Sequence, residues 1–353
     1  MSGVTIYQVA KAAGVSPSTV SNLLNGRHGK MQPETRERVE SAIARLGYRP
    51  NRAARQLRTG RIQMLGLVVP SVANPFWGTF ARRLEAAALA EGFYVLLCNS
   101  ERDPARERGY VEELWGDGIG GVVLCSSLPS LDHVRPVVEQ GMGLVAFDRT
   151  AQPGDPESVV NIGTDNVLGA QLSTRHLLEL GHERFAFVSG SIGSINRSER
   201  YHGFRSALEA AGVADADVTV WSGATGKNFD DRDAAEMGRA AARELLEAPH
   251  PPTAIVAIND ICALGVCAGV RDAGLEVGRD VSVVGFDDIM LAQMAMPGLT
   301  TVRQPVAEMA AAAFTTLRER LEEDEPGAGH SMLHRPELVV RDSTRRPGAG
   351  GEV

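Results

Sequence analysis

No apolar run in the 353-residue chain approaches the roughly 20 residues that a membrane-crossing helix requires, which argues against a helical membrane protein. The opening segment, MSGVTIYQVA, has no basic stretch followed by an apolar core, so no secretory signal is expected and the predicted location is the cytoplasm, at the nucleoid. Cysteine is scarce. Cys98, Cys125, Cys262 and Cys267 show no paired metal-binding spacing and are expected to be reduced, buried and inert. Catalytic signatures are missing as well. There is no G-x-G-x-x-G after the first apolar strand, no G-x-x-x-x-G-K-[ST] and no G-x-S-x-G, and SGSIGS matches none of them. The eight histidines show no H-E-x-x-H or similar spacing. No catalytic residue, metal or cofactor is therefore expected, and an enzyme on a doubly wound sheet becomes the weaker reading. A secreted sugar-binding protein is weakened by the absent signal.

What is present is a charge asymmetry. The net charge of −8 conceals a head, residues 1–61, with eleven Lys and Arg against three acidic residues. The head thus carries +8 and the remainder −16. A small basic head on a large acidic body is the footprint of nucleic-acid binding, because the body repels the phosphates and leaves contact to the head.

The stretch TIYQVAKAAGVSPSTVSNLLNG reads as two short helices and a tight turn. Thr5 and Gln8 fit a capping box, and Val9, Ala10 and Ala13 form one apolar face. Gly14 ends the first helix; Ser16 caps the second, with Pro17 at its first position and Val20, Leu23 and Leu24 on its buried side. This is helix-turn-helix grammar. In such a unit the start of the second helix meets base edges in the major groove, which assigns base readout to Pro17, Ser18 and Asn22. Thr5, Tyr7, Ser16, Thr19, Ser21 and Asn25 are the candidates for phosphate contacts. A third helix starts at Pro33, with Gln32 as an unusual cap, buries Val39, Ile43 and Leu46, and stops at Gly47. Beyond it, PNRAARQLRTGR is a basic run about two turns long, which is marginal as an isolated helix.

These segments resemble the LacI/GalR family of bacterial transcription repressors. VTIYQVAKAAGVSPSTVSNLLNG, PETRERVESAIARLGYRPN and ARQLRTGR match its DNA-binding head. LGLVVPSVANPFW, DGIGGVVLCSS, TDNVLGAQLSTRHLLELGHERFAFVSG, RYHGFRSALEAAG, PTAIVAIND, VSVVGFDDI and LTTVRQP match its sensor domain in order, to about Thr344. The loop GRHGKM is one residue longer than in a family member, and Gln32 replaces a more usual Ser. The resemblance implies a homodimer on a pseudo-palindromic double-stranded DNA operator, under the control of a small molecule such as a sugar. It also assigns residues 51–61 as a hinge helix, with Asn51, Arg52, Ala54, Arg55, Leu57 and Arg58 toward the minor groove and Leu57 as the wedge between base steps.

From residue 62 onward short apolar strands alternate with amphipathic helices, the pattern of a parallel sheet covered on both faces. The number of strands favours two doubly wound α/β lobes, and the resemblance implies a periplasmic-binding-protein-like sensor (type I) whose chain crosses between them three times. The expected division is 1–50 for the helix-turn-helix domain and 51–61 for the hinge. It continues with 62–163 and 291–322 for the N-terminal lobe, 164–290 and 323–345 for the C-terminal lobe, and a disordered tail at 346–353. The tail has no leucine heptads for tetramerisation.

Ligands of open α/β sheets bind at the C-terminal ends of strands. There the sequence offers Ser71, Phe76, Trp77, Ser126, Ser127, Asp148, Arg149, Asn196, Arg200, Asn259, Asp260 and Asp287. Carboxylates, amides and an Arg beside an aromatic wall suit a sugar or nucleobase. The effector set is therefore Ser71, Phe76, Trp77, Asp148, Asn196, Arg200, Asn259 and Asp287, of which the resemblance singles out Asp148, Arg200, Asn259 and Asp287. Trp221 and Phe229 could extend the wall. The competing reading is structural: an Asp at a strand end caps the next helix, and Arg200 with Asp287 forms an interlobe pair.

Overall fold

The computed structural model describes residues 4–24, 31–48, 63–126, 128–223, 231–322 and 327–348. The expectations for Asn25, for Asn51, Arg52, Ala54, Arg55, Leu57 and Arg58, and for Ser127 and Phe229 lie outside the described residues, as do residues 349–353 of the tail. The chain divides into two compact units, Met1–Ile62 and Gln63–Val353.

The first unit holds α1 (Ile6–Ala13), α2 (Pro17–Leu24) and α3 (Pro33–Leu46). The capping box at α1 is complete: the Thr5 hydroxyl accepts from the Gln8 amide, and the Gln8 side chain accepts from the Thr5 amide at 2.8 Å. Such a cap contributes about 1 kcal/mol. Gly14 closes α1 at φ 66°, a left-handed conformation that costs glycine least. Ser16 Oγ accepts from the Thr19 amide at 3.2 Å and so caps α2. Gln32 precedes α3 without a side-chain cap bond, and Gly47 ends α3 at φ 58°. The core is Val9, Ala10, Ala13, Val20, Val39 and Ala42. Leu23, Leu24, Ile43 and Leu46 are only half-buried and pack around its margin, because three short helices cannot enclose more.

The second unit contains two six-stranded sheets. The first has the order β11 (Ser331–His334), β5 (Val160–Thr164), β4 (Gly143–Phe147), β3 (Gly121–Cys125), β1 (Met64–Val69), β2 (Tyr94–Asn99), and all its pairs are parallel. The second has the order β12 (Glu337–Val339), β10 (Thr300–Arg303), β9 (Ser282–Asp287), β8 (Ala254–Ala257), β6 (Phe185–Val188), β7 (Val218–Trp221). Only its β10–β12 pair is antiparallel. The inner strands are continuous apolar runs, as LGLVV in β1 and VVGF in β9, because helices cover both of their faces. In each sheet the order of the first five strands is 2-1-3-4-5, so the winding reverses beside the first strand.

In the first lobe these helices are α4 (Pro75–Ala90), α5 (Pro104–Gly116), α6 (Arg135–Glu139) and α12 (Val306–Glu322). In the second they are α7 (Asn166–Glu179), α8 (Ile195–Ala210), α9 (Asp231–Leu246), α10 (Asp260–Asp272) and the short α11 (Met290–Met294). A Cβ on Gly265 would collide with the carbonyl oxygen of Ala235, so α9 and α10 touch backbone to backbone at this glycine.

The chain crosses between lobes after β5 at Thr164, between β10 and α12 at Gln304, and between β11 and β12. The last two crossings correct the expected division. The segment 291–322 does not belong wholly to the N-terminal lobe, since α11 and β10 complete the second sheet through parallel pairing of β10 with β9. Equally, 323–345 is split, with β11 extending the first sheet beside β5. No helix among the described residues is long and apolar enough to cross a membrane. No group of three His, Cys, Asp or Glu among them could hold a metal ion.

Candidate functional site

In the first unit α2 presents Ser18 and Asn22, both exposed and one helical turn apart. Pro17, Thr19 and Ser21 are half-buried beside them, and Tyr7 is 72% exposed on α1. Three of the expected phosphate donors also do local work: Thr5 builds the capping box, and the Ser16 and Thr19 hydroxyls share a 2.9 Å hydrogen bond. Lys11, Arg38 and Arg45 are exposed, while Arg36 is paired with Glu40. The surface can meet a phosphate backbone and present one amide and one hydroxyl to base edges.

In the second unit the polar groups gather where the strand ends of the two lobes face each other. Asp148 follows β4 with φ 63° and is 5% exposed. Its Oδ2 accepts from Asn196 Nδ2 on α8 at 2.7 Å, a bond that joins the lobes, whereas its buried Oδ1 has no hydrogen-bond partner. Burial pushes the Asp148 carboxyl up to about 6, against the opposing pull of Arg200, the Asn196 bond and Arg102. A second interlobe bond runs from Thr150 Oγ1 to Glu199 at 2.7 Å.

Arg200 lies almost fully buried at the base of this region. Its Nε donates to Asn166 at 2.9 Å, its Nη1 to the Ile258 carbonyl at 2.7 Å, and its guanidinium sits 3.6 Å from the centre of the Phe286 ring. Its Nη2 is 3.9 Å from Asp287 Oδ1, a charge contact too long for a hydrogen bond. Asp287 ends β9 at φ 116° and accepts from Gln304 Nε2 at 2.8 Å, and Gln304 in turn accepts from Thr164 at 2.6 Å. Gln304 therefore ties Asp287 to two of the three crossings. Beside Asp287 a cavity of about 280 Å³ opens, with Phe76, Arg83, Arg303 and Gln304 in its wall; Asp148, Arg200 and Asn259 are not among its described lining residues.

The remaining predicted residues divide. Ser71 forms a turn, its hydroxyl accepting from the Ala73 amide at 3.2 Å. Trp77 stands edge-on to Phe76 at 4.9 Å between centroids, and its buried indole N–H has no hydrogen-bond partner. Asn259 caps α10, its Oδ1 accepting from the Cys262 amide at 2.9 Å, which leaves its amide nitrogen as the group able to donate. Arg149 is wholly buried, and its Nη2 donates to both Asp155 oxygens at 3.0 and 2.8 Å; it braces its own loop. Asp260 is fully buried against Ile289 and Thr301. Trp221 packs on the core and donates to Glu244 at 2.6 Å, so its indole N–H is occupied.

Sequence reasoning did not single out Gln304, Glu199 or Ser189, whose buried hydroxyl follows β6 without a hydrogen-bond partner. Gln304 carried one available signal, a polar residue directly after the strand run TTVR. Nothing local marks Glu199.

Residues 5–51 match the family described as "Bacterial regulatory proteins, lacI family", and residues 174–344 match "Periplasmic binding protein-like domain". The HTH-type transcriptional regulator DegA of Bacillus subtilis (strain 168) is 35% identical over 342 residues, 96% of this chain and 98% of DegA. The crystal structure of the lac repressor dimer bound to operator and the anti-inducer ONPF is similar with a TM-score of 0.81 at 26% identity, over 98% of this chain and 100% of that one. The transcriptional regulator CelR in complex with cellobiose is similar with a TM-score of 0.69 at 31% identity, over 96% of this chain and 99% of that one. A basic helix-turn-helix unit followed by two facing α/β lobes, matched end to end in this way, places the chain in the LacI family of bacterial transcription regulators.

Proposed function

We propose that this regulator binds a pseudo-palindromic operator as a homodimer and that a sugar or related metabolite, held between the lobes, controls its affinity for DNA. The observation that carries the effector reading is the pair of buried carboxylates, Asp148 and Asp287, on strand ends of opposite lobes. Each is an acceptor, and Asp148 Oδ1 is left without a partner. A ligand rich in hydroxyl donors satisfies them, while Arg200 and the Asn259 amide supply donors and Phe76 supplies an apolar wall. The cellobiose bound by CelR is of that chemistry.

Base readout falls to Pro17, Ser18 and Asn22, and the hinge residues Asn51, Arg52, Ala54, Arg55, Leu57 and Arg58 link head and sensor in the minor groove. Two-fold symmetry of the dimer is matched by that of the operator. The protein works in the cytoplasm, at the nucleoid, without a cofactor and without turnover of its effector. A thermal-shift screen of pentoses, hexoses, disaccharides, polyols and nucleobases tests the reading. A true effector at a hundred times its Kd adds about 2.7 kcal/mol of stability. A screen in which no sugar or polyol raises the melting temperature would count against the sugar effector.

A further inference from the structure

Asp260 is a carboxylate with no exposed surface, and among the described residues no cation pairs with it. It opens α10, directly after Asn259. Its Oδ2 accepts from the Ile289 amide at 2.8 Å, and its Oδ1 accepts from the Thr301 hydroxyl at 2.5 Å. The first bond holds the corner between β9 and α11, and the second holds β10. The corner needs holding, because Asp287 and Asp288 both adopt positive φ, at 116° and 49°, which is costly for side-chain-bearing residues. Room for the carboxylate is made by Gly285, where a Cβ would collide with Asp260 Oδ1. Thr301 passes the restraint on, since its Oγ1 also accepts from the Asp288 amide at 3.4 Å.

We propose that Asp260 is the positioning residue of the effector cleft, locking the strained corner that aims Asp287 between the lobes. One side chain thereby fixes three groups together: Asn259 on α10, Asp287 on the corner, and Gln304 at the end of the strand that Thr301 belongs to. Burial and the nearby Asp287 charge push its carboxyl well above the usual carboxylate range, a penalty that a purely apolar packing position would not carry. The inference rests on the proposal that Asp287 receives the effector.

The test is a crystal structure of the full chain carrying Asp260→Ala or Asp260→Asn, with melting curves in the presence of the same sugars and polyols. Asp260→Asn keeps an oxygen for the Ile289 amide and is expected to leave Asp287 bonded to Gln304. Asp260→Ala is expected to release the corner, break that bond, and weaken binding of any stabilising sugar at least tenfold, with the asparagine variant within about threefold of wild type. If Asp260→Ala fails to fold, Thr301→Val removes one of the two bonds and is expected to shift Asp287 in the same sense. An Asp287 that stays on Gln304 in both Asp260→Ala and Thr301→Val, or an asparagine variant as impaired as the alanine one, overturns the proposal. A wild-type chain stabilised by no sugar or polyol overturns instead the effector reading on which it rests, and the crystallographic result separates the two failures.

Discussion

Asp148 carries the plainest prediction. Its carboxyl is raised to about 6 by burial, so its contribution to folding is fully present below the ordinary carboxylate value and is lost as pH rises through 6. Asp148→Asn is therefore expected to stabilise the ligand-free protein at neutral pH by an amount on the order of 1–3 kcal/mol, seen as a higher melting temperature. Asn also tolerates the left-handed backbone at φ 63°. Ligand binding has the opposite sign, because a hydroxyl donor favours the ionised form. Effector affinity should fall as pH drops through about 6 and should lose that pH dependence in Asp148→Asn, together with roughly tenfold in affinity from the lost charge-assisted bond. Isothermal titration between pH 5 and 8 reads both; a flat wild-type profile would contradict the assignment. Asp148, Arg200 and Asp287 were legible in the sequence because they directly follow apolar strand runs or sit on the next helix. Asp260 stood out only as one more polar residue at a strand end, and Gln304 not at all, because their roles lie in bonds to Ile289, Thr301, Thr164 and Asp287, between 17 and 140 positions away along the chain.

The elements of the head were readable almost residue by residue, since caps, turns and apolar stripes are local devices: Thr5 with Gln8, Gly14, Ser16 and Gly47 all act where the sequence places them. The lobe crossings were less readable. β10 is a four-residue strand whose sheet is decided by parallel pairing with β9, and β11 joins β5 across more than 160 residues. Neither partner choice is written in local periodicity. Gly265→Ala drives a methyl into the carbonyl of Ala235 and should cost about 1–3 kcal/mol by overpacking, seen as a lower melting temperature with operator contacts unchanged. Leu57→Ala, in the proposed hinge, should weaken specific operator binding while leaving salt-dependent binding to random duplex nearly intact, because an apolar wedge acts only where the duplex is kinked. Equal losses on both duplexes in a fluorescence-anisotropy titration would refute the wedge.

The molecule combines a basic reader with an acidic sensor whose lobes are fastened to each other by Asp148–Asn196 and Thr150–Glu199, and whose crossings are tied by Thr164, Gln304 and Asp287. A ligand that takes over the free oxygen of Asp148 and engages Asp287 acts on both sets of ties. It can shift DNA affinity only by its differential affinity for the two arrangements of the lobes. The effect must be reciprocal, operator changing effector affinity by the same factor as effector changes operator affinity. The most direct measurement is operator Kd for the full-length protein, with and without a saturating sugar identified by thermal shift, paired with the Kd of that sugar with and without operator. A change of roughly 5- to 150-fold is expected, equal in both directions and abolished in Asp148→Asn. A sugar that binds tightly in the cleft yet leaves operator Kd unchanged would contradict it.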